Sequence, residues 1–149
     1  MYTKINEKDS AMKLGAIYSK EKTTFTLFSP VADSVFVIFY DKGNDSAETG
    51  RLEMVRGEGE LRSIFSATAE GNLDGVYYTY EVHTSDGTFS SHDPYARACG
   101  VNGHRSMVID LSKTDPDGFA DEDRPKLADP MSMVITEVSI VDVSAGASA

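Results

Sequence analysis

Between Leu14 and Leu111 the apolar residues fall in short runs, either alternating with polar residues or continuous over a few positions. Leu14 to Ser19 and Thr23 to Phe28 are β-prone, and the polar Lys20-Glu21-Lys22 between them predicts a hairpin turn. Pro30 ends the second run. Ser34 to Tyr40 is rich in Val, Ile and Phe and predicts a buried strand. Asp41 to Gly50 reads as a polar loop. Arg51 to Arg56 alternates, with Leu52 and Met54 on one face, and after the turn Gly57-Glu58-Gly59 the alternation resumes over Leu61 to Thr68. Val76 to Thr84 is the longest β-prone run, and Asp86-Gly87 is a hairpin signal into Thr88 to Ser90. Ser106 to Leu111 supplies a last short strand. Strands at this spacing, separated by Gly and Asp turns and with no long helical pattern or internal repeat, predict an all-β antiparallel sandwich over 14–111. Alternate residues of Ser34–Tyr40 and Val76–Thr84 are expected to be buried.

The flanks differ. Residues 1–13 form a polar tail, and 112–133 an acidic, Pro-containing connector. Residues 134–149 hold an apolar, strand-like run, Val134 to Val143, followed by small residues. A strand of that composition needs a partner for its backbone groups. The expectation is that it orders by adding to an edge of its own sandwich, or by strand addition to a second copy.

Composition narrows the function classes. A net charge of −10 lacks the clustered Lys and Arg of a nucleic-acid partner and suits a neutral or cationic one. Cys99 is the single cysteine, so no internal disulfide forms. The polar N-terminus has no apolar core of signal length, and no run is long enough to cross a membrane. A soluble chain is expected, with the cytoplasm favoured over secretion.

Asp93-Pro94-Tyr95-Ala96-Arg97, then Val101-Asn102-Gly103 and Met107-Val108-Ile109-Asp110-Leu111, resemble bacterial type I pullulanases. Leu14-Gly15-Ala16-Ile17-Tyr18, Thr24-Phe25-Thr26-Leu27-Phe28-Ser29-Pro30 and Gly75-Val76-Tyr77-Tyr78-Thr79-Tyr80 resemble the same proteins. The resemblance implies a family 48 carbohydrate-binding module, an immunoglobulin-like sandwich, over about Leu14 to Asp129. Val134 to Ser144 is similar to the first strand of the catalytic barrel of glycoside hydrolase family 13. A (β/α)₈ barrel needs roughly 200 further residues, so the resemblance implies a non-catalytic α-glucan-binding or scaffolding module with no catalytic residues and no cofactor. The alternative is an interaction domain that only docks on a catalytic domain.

Sugar modules stack an aromatic ring on a pyranose and add a few polar groups for its hydroxyls. The resemblance implies Phe89, after the Asp-Gly hairpin, as the stacking ring and Asn102 as a hydroxyl partner. Tyr40 at the end of its strand is a third candidate. The competing reading has Phe89 and Tyr40 capping the core and Asn102 making a turn. The chain has no Trp, the strongest stacker, so any glucan binding is expected to be weak. His83, His92 and His104 match no zinc spacing. Asp115-Pro116-Asp117-Gly118 with Asp121, Glu122 and Asp123 lacks the ligand alternation of a calcium loop. Glu137 and Asp142 would lie about 16 Å apart on an extended strand, too far for a glycosidase pair. Cys99 has no motif around it and reads as a small, partly buried hydrophobe.

Overall fold

The computed structural model describes residues 13–123 and 126–144. Nine antiparallel strands form the first of two compact units, which runs to Thr114. They are β1 (Gly15–Tyr18), β2 (Lys22–Phe28), β3 (Ser34–Tyr40), β4 (Glu48–Arg56), β5 (Ile64–Glu70), β6 (Tyr77–Thr84), β7 (Gly87–Ser91), β8 (Ala98–Cys99) and β9 (Ser106–Met107). The order is β1-β2-β5-β4-β3-β6-β9-β8, with β7 also on β6. The two layers are joined by β4, whose residues up to Met54 pair with β3 and whose last two, Val55 and Arg56, pair with β5. This is the expected all-β, immunoglobulin-like sandwich.

The expected inward face of β3 and β6 is buried, but burial does not simply alternate: Ile38 and Thr79, paired on the opposite face, are buried as well. Val35 and Val37 of β3 and Tyr78 and Tyr80 of β6 are fully buried and share one face, because residues two apart on a strand point the same way. Phe25, Leu27 and Phe65 come from the other layer. Phe25 meets Tyr78 edge-on at 5.0 Å and Phe39 at 5.7 Å, the geometry that aromatic quadrupoles favour. Strand β4 begins at Glu48, inside the expected loop, because pairing with Tyr40 extends it. Strand β8 is too short to show a period. Only Ser106–Met107 of the expected last strand pairs with β6 and β8. After it, Val108 exchanges backbone hydrogen bonds with Val76 and Gly75 at 2.9 Å, and Leu111–Lys113 curl into a 3-10 turn.

Asp93 explains why Asp-Pro-Tyr-Ala sits where it does. Its carboxylate is 3% exposed. The Tyr78 and Tyr80 phenols donate to its Oδ2 at 2.7 and 3.2 Å, and the Tyr95 amide donates to Oδ1 at 2.8 Å. Its own amide donates to Ser106 Oγ at 2.8 Å. Burial first, and the adjacent carboxylate second, push both phenols far above their ordinary range, so they stay protonated donors. The loop then lies over Gly15, where a Cβ would come within 2.9 Å of Tyr95 Cβ.

A second latch closes the unit. Asp74 accepts from the Asp110 amide at 2.8 Å and from Lys113 Nζ at 2.6 Å. Lys113, and then the Asp110 amide, hold the Asp74 carboxyl below the usual carboxylate range. The Ser112 hydroxyl does the same for Asp110.

The second unit begins at Asp115. The strand expected over Val134–Val143 does not form: 133–139 are irregular and Ile140–Ser144 is a short helix, α1. A strand's backbone groups need a neighbouring chain, whereas a helical turn closes locally, as in the Val143 amide to Ser139 carbonyl bond of 3.0 Å. The run therefore adds to no edge of its own sandwich. Residues 1–12 of the polar tail and the last five residues lie outside the described residues. No described helix is long and apolar enough to cross a membrane.

Asp93→Asn is expected to destabilise the fold by about 2 to 3 kcal/mol. The amide offers one acceptor where donors approach both carboxylate oxygens. Urea unfolding checks this, and an unchanged midpoint refutes it. Acid should also weaken the fold. The Asp74 and Asp110 values are lower folded than unfolded, so their contribution is complete above the ordinary value of about 4. It is lost as pH falls through the lower folded values. Unfolding midpoints at pH 6 and pH 3 should therefore differ less in Asp74→Asn than in the parent.

Candidate functional site

The register of β3, β6 and β7 sorts the three sequence-derived candidates. Tyr40 pairs with Tyr77, and Phe89 pairs with Val82. Directly paired residues share a face, so Phe89 lies on the side of Tyr78, Tyr80 and Val82, and Tyr40 on the side of Thr79 and Glu81. Their register positions are also five residues apart along β6, about 16 Å. Phe89 is 54% exposed at the rim of the inner face, so its ring does not cap the core. The residues that β7 turns toward the outer face are Thr88 and Ser90.

Tyr40 and Asn102 are brought together by a residue that sequence reasoning missed. The Arg105 guanidinium lies 3.5 Å from the Tyr40 ring centroid, a close cation–π stack. The Tyr40 hydroxyl is 3.3 Å from Thr79 Oγ1. Arg105 also donates to the Lys42 carbonyl and Ser46 Oγ from Nη1, both at 2.8 Å, and to the Ser46 carbonyl from Nη2 at 2.9 Å. One side chain thus fixes the β3–β4 loop, residues 41–47, against the β8–β9 turn. The only sequence cue is the Asn-Gly-His-Arg run itself, because the partners lie some 60 residues upstream, at separations of 63 and 59.

The backbones touch as well. A Cβ on Gly100 would sit 2.5 Å from Gly43 Cα, and one on Gly43 would sit 2.8 Å from Gly100 Cα. Above this contact is an open depression of about 260 Å³ lined by Asn44, Asp45, Val101, Asn102, His104 and Arg105. Among the described residues the only non-glycine residues with positive φ are Asp45 (47°) and Asn102 (53°), and both line it. Asn and Asp tolerate this region best. The wall is therefore polar and rigidly built, with Val101 as its exposed apolar member. It is suited to hydrogen-bonding a hydroxyl-rich ligand.

The other candidates have simple roles. His83 is within hydrogen-bond distance of Glu81 (2.9 Å) and Thr88 (3.1 Å) on the outer face. No cluster of three or more potential metal ligands occurs among the described residues. Cys99 is exposed, in β8, where the sequence suggested a partly buried hydrophobe.

A twisted antiparallel sandwich carrying an open polar depression on its connections is the form of a small binding module. The family model for carbohydrate-binding module 48 (isoamylase N-terminal domain) matches residues 13–96, and the chain belongs to that family of binding modules. It is 31% identical over 116 residues to Pullulanase A of Streptococcus pneumoniae, covering 73% of this chain and 9% of that protein. The chain therefore spans about a tenth of this relative's length. Among solved structures, the Paenibacillus barengoltzii pullulanase in complex with maltohexaose and α-cyclodextrin is 34% identical, with a TM-score of 0.72 over 79% of this chain and 18% of that one. The Bacillus acidopullulyticus pullulanase is 35% identical with a TM-score of 0.72, covering 79% and 14%.

Gly100 has a φ of −80° that any residue adopts, so Gly100→Ala tests the backbone contact alone. It should cost about 1 to 3 kcal/mol and move the amide resonances of 41–47. Unchanged stability and unchanged loop shifts would contradict the packing described.

Proposed function

We propose that this module holds α-glucan weakly and without catalysis, as an accessory domain of a debranching glycoside hydrolase of the pullulanase type. The observation that carries the reading is the depression where Asn102, held in a left-handed conformation, meets the loop that Arg105 ties to Tyr40. Asn102 offers both a donor and an acceptor to sugar hydroxyls. Tyr40 does not line the depression; its ring is the platform on which Arg105 stacks. Phe89 supplies an exposed ring at a separate place, so it and the depression are independent contact points and not one groove. The maltohexaose and α-cyclodextrin in the complex of the Paenibacillus relative support a glucan as the ligand class.

A second reading is docking on a catalytic domain. It is favoured by the exposed apolar residues Phe28, Val31 and Val55 on the sandwich, 53%, 74% and 72% exposed. Exposed apolar groups of this size suit a protein partner.

The test is a maltoheptaose titration followed by residue-resolved NMR shifts. The expected dissociation constant is about 0.1 to 1 mM, since a site without paired aromatic rings offers little more than 4 to 5 kcal/mol. Shifts should centre on 44–45 and 101–105. No shift at 10 mM sugar would remove the binding reading and leave docking.

A further inference from the structure

Resting on the glucan-binding reading, we propose that Asp45 is a second sugar-recognition group of the depression, accepting from a pair of neighbouring glucose hydroxyls, and that Arg105 is the residue that positions it. Three observations converge on the β3–β4 loop. First, Asp45 is exposed and lines the same depression as Asn102. Its φ of 47° is a conformation that the packing of the loop must maintain. Second, its Oδ2 accepts from the Asn44 side-chain Nδ2 at 3.0 Å, which orients the carboxylate, while no described cation pairs with it. A carboxylate has about four lone-pair sites, so this one keeps acceptor capacity toward the open side. Third, the loop is not free to choose its pose. Arg105 spends three hydrogen bonds on its backbone and on Ser46, and stacks on Tyr40 beneath it. Gly43 against Gly100 fixes the loop's height.

The chemistry follows from the ligand class. Adjacent equatorial hydroxyls of a glucose unit present two donors at a spacing that a carboxylate accepts together. Hydrogen bonds to a charged acceptor are roughly twice as strong as neutral ones. Asn102 across the depression can then donate to, and accept from, further hydroxyls. In a site that lacks a stacking pair, such a charged contact carries a large share of the affinity. Arg105 is a positioning residue in this scheme, because both its Nη1 and its Nη2 donate to the loop.

The experiment uses the same chain and the maltoheptaose titration, with Asp45→Asn, Asp45→Gly, Asn102→Ala, Arg105→Lys and the double variant Arg105→Lys/Asp45→Asn. Asn and Gly both tolerate the positive φ, so the fold is retained, which the dispersion of the amide spectrum checks. Asp45→Asn and Asp45→Gly should each weaken binding roughly tenfold. Arg105→Lys keeps the charge but loses the planar fork. It should weaken binding to a similar extent, and adding Asp45→Asn to it should cost little more, because the carboxylate is already misplaced. Full affinity in both Asp45 variants alongside lost affinity in Asn102→Ala would overturn this proposal and leave the glucan-binding reading standing. Additive losses in the double variant would overturn the positioning role. No binding by the parent chain would remove both readings together.

Discussion

The buried Asp93 carboxylate is the contact on which the rest of this sandwich depends. It takes the phenols of Tyr78 and Tyr80, the two largest side chains of the core, and the amide of Tyr95. A charge this deep is tolerated only when its acceptor sites are filled. The arrangement therefore fixes three things together: where β7 ends, how the following loop crosses Gly15, and where Ser106 enters β9. The turn bearing Asn102 hangs between Cys99 and Ser106, so its position is inherited from this latch.

Arg105 extends the same logic outward. It stands next to Ser106, which accepts the Asp93 amide, and its guanidinium reaches back to the β3–β4 loop. Core and candidate site are thus one residue apart in the chain. The depression is built by backbone contacts and a locked arginine, with few loose side chains. Such preorganisation reduces the ordering cost of binding a small polar ligand. It also ties the polar wall to the Tyr40 ring on the outer sheet face.

The two ends of the described chain obey different rules. Up to Thr114 each strand has neighbours, and the last turn is held by Asp74 and Lys113. From Asp115 onward, residues 115–123, 126–129, 131–141 and 143 are all exposed. Met131, Val134, Ile135 and Ile140 each exceed three quarters exposed, at 89%, 93%, 82% and 79%. Hydrogen bonds such as Ser132 amide to Asp129 carbonyl and Val143 amide to Ser139 carbonyl, both 3.0 Å, close within a turn.

What the sequence by itself determined is local and periodic. The period-two patterning placed β2, β3, β6 and β7 within a residue of their observed ends, and the core faces of β3 and β6 with them. Burial of alternate side chains is a property of the strand alone. The Asp-Pro-Tyr-Ala and Asn-Gly motifs were visible and carried the family resemblance, and Asn102 was named from them. What only the tertiary structure decided are relations between segments. Phe89 and Tyr40 lie on opposite faces because a hairpin register sets the parity of one strand against another, and no single strand records it. The grouping of Asn102 with Asp45 and Tyr40 depends on Arg105 reaching across some 60 residues of chain. The run Val134 to Val143 was apolar enough to be a strand, yet a strand exists only with a partner, and a helical turn supplies its own hydrogen bonds.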